Sequence, residues 1–418
     1  MSSPRWFRSA GSLSALLLIT SLAACSDSPT RPGPRLELRQ LTEQETLLVS
    51  ADNLFGLKLF RAVSEVEEDE NVILSPLSVA MALGMTLNGA AGETRVGMET
   101  ALELSGLTEE EINTSYSSLI DLLTAADPKV TFQIANSIWY RDSYPIAPDF
   151  VEVNETYFDA VVRALDFSAA DAADIINAWV SEKTNDRIEE IVDSPIDPLT
   201  MMFLINAIYF NGDWLTRFDA DDTEDRPFYL TDGTEITVPT MSVEDVSLTC
   251  DSSPGLSAVD LAYGDSLFSM TIVLPPVGTH PDSFIAGFDR AQWEQIVSGF
   301  RSEEFGRLLL PKFELQYEIT LNDILIDLGM DDAFDETRAD FSRMHASGLP
   351  DLFISEVKHK TWLRVDEKGS EAAAATSVQM DYRSIPETFA VNRPFIFLIR
   401  ERSSGTILFI GKVMDPRG

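Results

Sequence analysis

The chain has 418 residues, of which 44% are hydrophobic, and its formal net charge is −37 at pH 7. The hydrophobic content is enough to bury a large core, so extended disorder is not expected beyond the N-terminus. The acidic surface should repel nucleic acids and anionic lipid headgroups, which excludes both as partners. Adaptation to high salt and attraction of basic partner proteins are both compatible with this charge.

Residues 1–24 have the features of an export signal of the lipoprotein type. Two arginines precede an apolar run at residues 13–22, which is too short to anchor the chain in a bilayer. The run ends in LAAC at Cys25, and this resembles a bacterial cleavage site at which the cysteine is lipid-modified. Residues 25–40 are polar and proline-rich and predict a flexible tether. We expect an exported protein held at the cell envelope or cell surface, or an extracellular protein if Cys25 is not lipidated.

After the tether, helix and strand patterns alternate without a linker or an internal repeat. Apolar spacing predicts a helix at residues 41–66, followed by a short strand and a buried helix that begins at Pro76 with Ser75 as its N-cap. Further segments follow in chain order: strands at 130–140 and 200–210, helices at 172–184, 289–300 and 319–328, and mainly strands from 353 onwards. Residues 41–418 are therefore predicted to form one α+β domain.

One predicted strand, residues 353–366, places a histidine among apolar side chains. In a period of two, His359 falls on the same face as Val357, Leu363 and Val365, so it should point inward. A buried histidine in this setting is more often a hydrogen-bonded structural residue than a catalytic base. A hydrolase that pairs Ser75 or Ser78 with His359 is the alternative.

The sequence carries no other pattern typical of enzyme chemistry. Its three histidines are not spaced as metal ligands, and no dinucleotide fingerprint or nucleophile elbow occurs. We therefore expect no metal and no cofactor.

Six segments, taken together and in order, are similar to those of the serpins, the serine protease inhibitors. The segments are NVILSPLSVAMAL, FLINAIYFNGDW, LPKFEL, LGMDDAFDETRADFS, VDEKGSEAAAAT and NRPFIFLIR with GTILFIGKVMDP. The resemblance extends from about residue 41 to the C-terminus. It implies a fold of three β-sheets with eight to nine helices and an exposed reactive loop at about residues 367–390.

The resemblance also implies a suicide-substrate mechanism. A protease attacks the loop, the N-terminal part of the cleaved loop enters the largest sheet as a new strand, and the acylated protease is carried along and trapped. Counting along the loop as the family does, the scissile bond is Arg383–Ser384, so the target should be a trypsin-like serine protease, held in a covalent complex. A register shifted by one residue would place Tyr382 at this position and suggest a chymotrypsin-like target.

The hinge of the loop is small or polar throughout, as insertion between packed strands requires. Inserted as a strand, residues 370–380 would alternate between an inward and an outward face. A proline or a large side chain at residues 370–375 should block entry. The hinge comprises Glu367, Gly369, Ser370, Glu371, Ala372, Ala373, Ala374, Ala375 and Thr376.

Further residues match family positions that control sheet opening. Ser75, Ser78, Asn206 and His359 match a hydrogen-bonded cluster beneath the sheet. Trp214 matches the aromatic residue where the loop enters, and Lys312 matches the partner of Glu367 at the top of the sheet.

Two predictions concern the partners of the protein. The region that binds sulfated polysaccharide in some serpins is here the acidic segment TEEEINTSYSSLIDLL, so activation by heparin-like polysaccharide is not expected. We expect a monomer that inhibits proteases; a serpin that does not inhibit and acts as a carrier or chaperone is the alternative.

Overall fold

A computed structural model describes residues 39–251, 256–369 and 387–418. Residues Leu41–Gly418 form one compact unit. Its helices and strands are intermixed along the chain and enclose a large apolar core, in agreement with the predicted α+β class. No helix in the described ranges is both long and apolar enough to cross a bilayer.

Eight helices of six or more residues lie in the described part of the chain. The first begins at a capping box, in which Thr42 and Glu45 satisfy each other's backbone N–H groups. The helices are α1 (Glu43–Val66), α2 (Pro76–Leu87), α3 (Gly92–Ala101), α4 (Glu109–Ala125), α5 (Pro148–Phe158), α6 (Ala172–Lys183), α7 (Pro281–Ala286) and α8 (Arg290–Gly299). Two single helical turns follow, α9 (Asn322–Leu325) and α10 (Asp331–Phe334).

The strands alternate buried and exposed residues where one face meets solvent and are buried throughout where they cross the core. They are β1 (Val72–Leu74), β2 (Val130–Arg141), β3 (Val161–Leu165), β4 (Met202–Gly212), β5 (Glu224–Tyr229), β6 (Glu235–Asp251), β7 (Ser257–Tyr263), β8 (Phe268–Leu274), β9 (Arg301–Pro311), β10 (Phe313–Thr320), β11 (Lys358–Val365), β12 (Thr388–Ala390), β13 (Phe395–Glu401) and β14 (Ile407–Val413).

These strands form three sheets. The largest has the order β1-β14-β13-β8-β7-β6-β9-β12, and β5 pairs with β6. A second sheet has the order β3-β2-β4, and the third consists of β10 and β11. In the described residues, β4 and β11 each end their sheet without a further paired strand, so each exposes a row of backbone hydrogen-bonding groups.

Two apolar cores stabilise the unit. The main core involves α1, α2 and the largest sheet. A smaller core is formed where α6 packs on the outer face of β2 and β4; it is built from Trp139, Ile176, Val180 and Ile205 with residues of the segment after α6. The layer that carries α6 therefore has its own packing, separate from the main core.

The structure corrects two local predictions. Strand β11 begins at Lys358, not at residue 353, and Phe353 is 42% exposed although its place in the alternation predicted burial. Residues 319–320 belong to β10, so the helix predicted at 319–328 begins only at Asn322. In both cases, the periodic pattern of apolar residues in the sequence extends beyond the residue at which the strand begins or ends in the structure.

Candidate functional site

The candidate site is the gap between the unpaired edges of β4 and β11. A cavity of about 710 Å³ lies there. Consecutive residues of both strands line it, with α2 on the inner side and the segment after α6 on the outer side. An extended segment placed in this gap could pair with both edges at once.

On the inner side, His359 holds the start of α2. Its Nε2 accepts a hydrogen bond of 3.0 Å from the backbone N–H of Ser75. The Ser75 hydroxyl donates instead to the carbonyl oxygen of Leu408, at 2.8 Å. Ser75 is the N-cap residue of α2, as predicted, but it makes no side-chain capping hydrogen bond because its hydroxyl is used elsewhere. This hydroxyl is also not aligned for activation by His359, as a hydrolase would require.

Burial keeps His359 neutral. Desolvation lowers the pKa of its imidazole from 6.5 to about 4. Protonation would place an Nε2–H group against the N–H of Ser75, so two donors would face each other.

We expect this buried imidazole to make stability depend on pH. Because the pKa of His359 is depressed in the folded state, its contribution is complete above pH 6.5 and is lost as pH falls towards about 4. The change is on the order of 3 kcal/mol. Urea unfolding of wild type and His359→Gln across this range should show a smaller loss in the variant. Parallel losses in the two proteins would contradict the assignment.

A second set of polar contacts, which involves Ser78, Asn206 and Asn136, lies beside the contact of His359 with Ser75, on the inner side of β4. The Ser78 hydroxyl donates to the backbone carbonyl of Asn206, at 3.3 Å. The Asn206 side chain donates through Nδ2 to Oδ1 of Asn136, at 2.7 Å, and Asn136 is the residue opposite it on β2. The Oδ1 atom of Asn206 is buried and has no hydrogen-bond partner among the described residues. Such an atom is costly unless a donor reaches it.

Asn136 is the member of this cluster that sequence reasoning missed. Its own Nδ2 donates to the carbonyl oxygen of Phe158, at 2.7 Å, and it is 2% exposed. Only the pairing register of β2 and β4 brings it to Asn206, although an asparagine in a buried strand was visible in the sequence.

At the upper end of the gap, Trp214 follows β4 and closes the entrance. Its ring stacks on Tyr263 with centroids 4.3 Å apart. Its indole N–H donates to the carbonyl oxygen of Asp366, at 2.9 Å, and its backbone N–H donates to the carbonyl oxygen of Lys368. Gly369 then forms antiparallel bridges to both Asp213 and Asp366.

Gly369 requires the absence of a side chain. Its φ of 124° lies in a region that favours glycine, and a Cβ atom would overlap the carbonyl oxygen of Gly212. The chain after β11 thus turns back towards the gap in a tight hairpin.

Glu367 and Lys312 form an ion pair beside this hairpin. The Lys312 ammonium donates to both carboxylate oxygens, at 2.9 and 2.8 Å, and the Thr223 hydroxyl donates to Oε1 at 2.7 Å. Burial disfavours the charged carboxylate, but the hydrogen bonds from Lys312 and Thr223 outweigh it and lower the pKa of Glu367. The pair ties the base of the loop to the end of β9.

We expect Lys312→Met to loosen this end of the gap. The variant keeps the aliphatic stem but removes two charge-assisted hydrogen bonds from a largely buried carboxylate, which should destabilise the closed arrangement by about 1–2 kcal/mol. Unfolding at a fixed urea concentration should accelerate roughly tenfold. Lys129→Met, which removes a more exposed ion pair with Asp265, is the control. Equal rates in the two variants would contradict a special role for Lys312.

Several predicted site residues lie outside the described residues. They are Cys25, the hinge residues Ser370, Glu371, Ala372, Ala373, Ala374, Ala375 and Thr376, and the reactive pair Arg383 and Ser384.

The acidic segment considered for polysaccharide binding is helix α4. Its first turn contains Glu109, Glu110 and Glu111. Glu109 accepts hydrogen bonds from Arg95 and from Arg343. Both arginines are thus engaged by a carboxylate and do not form an open basic surface.

Comparison with known proteins agrees with this architecture. The family model described as "Serpin (serine protease inhibitor)" matches residues 50–416. The chain is 32% identical to the thermophilic serpin tengpin, whose native structure superposes with a TM-score of 0.79 over 91% of this chain and 96% of that one. Human thyroxine-binding globulin with bound thyroxine gives a TM-score of 0.79 at 28% identity, over 90% and 100% of the two chains. Leukocyte elastase inhibitor of Bos taurus is 33% identical over 88% of this chain and 99% of its own length.

The chain therefore belongs to the serpin family. Its three sheets and the helices intermixed with them form the serpin fold. Most members of this family are serine protease inhibitors, and some are carriers.

Proposed function

We propose that this protein is a suicide-substrate inhibitor of trypsin-like serine proteases. The protease would cleave Arg383–Ser384, and the segment before the cleavage would enter the gap between β4 and β11 and trap the acyl-enzyme. Like most of its family, the chain would thus act on a protease without being an enzyme itself.

The register of insertion follows from the hairpin at Gly369. Continuing its antiparallel bridges to Asp213 and Asp366 residue by residue, Ala374 would lie between Ile208 and Thr361. Two residues further, Thr376 would lie between Asn206 and His359. This register would place the small, even-numbered hinge residues inward, in keeping with the alternation in the sequence.

The observation that carries the proposal is the unsatisfied Oδ1 of Asn206. It is buried beside the gap without a donor among the described residues, and the proposed register would bring the Thr376 hydroxyl to the same residue. An inserted strand would supply the missing hydrogen bond and pair with two open edges. At about 1 kcal/mol net per hydrogen bond, a strand of this length would gain on the order of 10 kcal/mol, which favours an inserted state over the uncleaved one.

Inhibition explains the hinge better than the carrier alternative does. Thyroxine-binding globulin shares the fold and binds thyroxine, so the fold alone does not decide between the two functions. However, a carrier does not need small residues at the inward positions of the loop. This chain has a small residue at every inward position between Gly369 and Thr376.

The proposal is tested by mixing the form of the protein that begins at Ser26 with trypsin and separating the products on a denaturing gel. We expect a band at the summed mass that survives boiling, together with a released peptide that begins at Ser384. Cleavage at Arg383 that leaves trypsin fully active would instead favour a non-inhibitory serpin. Turnover of an ester substrate by the protein alone would favour a hydrolase.

We also propose that the inhibitor is exported and held at a membrane through a lipid on Cys25, and that it acts as a monomer. The apolar run before LAAC and the polar segment after it support this localisation. Cys25→Ala should move the protein from the membrane to the soluble fraction. An unchanged distribution would exclude the lipid anchor.

A further inference from the structure

Three side chains that can bind a metal ion meet where the turn after α1 lies against the start of α7. They are Asp69, His280 and Asp282, which we call the His280 cluster. One ligand atom from each residue can be chosen so that all three atoms lie within 4.8 Å of one another. None of the three residues lines the gap between β4 and β11, so the cluster is separate from the site described above.

The imidazole of His280 lies between the two carboxylates. Its Nε2 is 3.0 Å from Oδ1 of Asp69, and its Nδ1 is 3.8 Å from Oδ2 of Asp282. Nδ1 also accepts a hydrogen bond of 3.3 Å from the backbone N–H of Asp282. The side chains of His280 and Asp69 are 34% and 58% exposed, so an ion can reach them directly from solvent.

Contacts around the cluster hold both carboxylates in place. The fully buried ammonium of Lys412 donates to Oδ1 of Asp282 and to the carbonyl oxygen of Glu67 at the end of α1. Oδ2 of Asp282 accepts from the backbone N–H of Asp69 at 3.1 Å, and the Thr231 hydroxyl donates to Oδ1 of Asp69 at 3.2 Å. Because outer hydrogen bonds orient metal ligands, these contacts favour a preformed arrangement.

The chemistry of the ligands selects the class of ion. An imidazole with two carboxylates suits Zn²⁺ and similar divalent transition metals, whereas Ca²⁺ and Mg²⁺ prefer sites built of oxygen alone. A tetrahedral zinc site places its ligand atoms about 3.3 Å apart, so small side-chain rotations are enough to close the cluster around an ion. Lys412 offsets one of the two carboxylate charges, and the other is left to attract a cation.

We propose that the His280 cluster binds one divalent transition-metal ion such as Zn²⁺, with water completing its coordination. The bound ion would join the turn after α1 to the start of α7. Asp69 and His280 are 211 positions apart in the chain. The expectation of no metal rested on the spacing of the histidines alone, and that spacing could not show this cluster. The proposal goes beyond protease inhibition and does not depend on it.

The experiment measures zinc binding by the form of the protein that begins at Ser26. The protein is freed of metal with a chelator and titrated with Zn²⁺ in the presence of excess Mg²⁺, which occupies the many surface carboxylates. We expect one Zn²⁺ per chain and a shift of the imidazole proton resonances of a single histidine. The chain has three histidines, so the spectrum of His280→Gln identifies which one shifts.

Loss of a ligand should weaken this binding. His280→Gln and Asp69→Asn should each lower the affinity for zinc at least about tenfold, since even the loss of an outer partner of a metal ligand has an effect of this size. Glu70→Gln is the matched control, because it removes one negative charge from the same exposed turn without removing a ligand. It should change the affinity less than about twofold.

A rescue variant separates the loss of a ligand from a failure to fold. His280→Cys should bind zinc again, because a thiolate is a good zinc ligand. Zinc should raise the urea concentration at the midpoint of unfolding for wild type and for His280→Cys, and leave that of His280→Gln unchanged. Asp282 is not replaced, because its loss would leave the buried Lys412 without its charge partner.

Three outcomes would overturn the proposal. Wild type and His280→Gln would bind zinc with equal affinity, zinc would shift the resonances of His345 or His359 in place of His280, or Glu70→Gln would weaken binding as much as Asp69→Asn. The last result would show that zinc binds through general surface charge only. Trapping of trypsin by the metal-free protein, measured in parallel, bears on the inhibitory function alone, because the cluster lies outside the gap.

Discussion

Replacing Ala374 with glutamate is expected to convert the inhibitor into a substrate of its protease. In the proposed register, residue 374 enters the inner side of the gap between Ile208 and Thr361, and the Thr361 hydroxyl is already occupied by the carbonyl oxygen of Ile73. A carboxylate there would be buried without a partner, at a cost of several kcal/mol. Since each 1.4 kcal/mol slows a step about tenfold, deacylation should win over insertion.

The measurement is the number of inhibitor molecules consumed for each protease molecule inactivated. We expect a rise of at least about tenfold for Ala374→Glu, by the same conversion of energy into rate. Ala373→Glu is the matched control, because the alternation places residue 373 on the outer face, beside Trp362. Equal effects at the two positions would show that the loop does not insert in this register, and persistent trapping by Ala374→Glu would show that it does not insert here at all.

Replacing Arg383 with alanine is expected to abolish the inhibition of trypsin. A trypsin-like protease binds this side chain through a buried carboxylate in its primary pocket. Removal of the arginine leaves that carboxylate unpaired, at a cost of about 3–5 kcal/mol. The second-order rate constant for trypsin should therefore fall about a thousandfold.

Tyr382→Ala is the control for this substitution, since it changes the adjacent loop residue without removing a charge. It should leave trypsin inhibition within about fivefold of wild type, as expected for a contact outside the buried primary pocket. If Tyr382→Ala abolishes inhibition of a chymotrypsin-like protease while Arg383→Ala has no effect on trypsin, the register is shifted by one residue. The released peptide would then begin at Arg383.

Local patterns were sufficient for most elements of the fold. The helix predicted at residues 172–184 is α6 (Ala172–Lys183), and the strand predicted at 130–140 is β2 (Val130–Arg141). These segments have a clear apolar period and are bounded by turn residues, so short-range physics determines them. The inward direction of His359 follows from the same alternation, and the structure confirms it, since His359 is 5% exposed.

Features that depend on long-range pairing were not predictable in this way. The gap exists because β4 and β11 do not pair. The sequence of either strand alone does not predict which strand lies next to it. The link of Asn136 to Asn206 depends on the register of β2 and β4, and the contact of Arg187 with Trp362 joins segments far apart in the chain. The N-cap position of Ser75 follows from a local pattern, but the distant acceptor of its hydroxyl, the Leu408 carbonyl, is invisible in such a pattern.

The small core beneath α6 also has a consequence for hydrogen exchange. Segments that share few buried contacts with the rest of a protein open as separate units, at a free energy below that of global unfolding. The amides of α6 and of residues 184–200 should therefore exchange together, and earlier than those of β13 and β14, which lie in the main core. The molecule would thus keep a less protected layer over the place where a new strand has to enter, while the largest sheet stays closed to solvent.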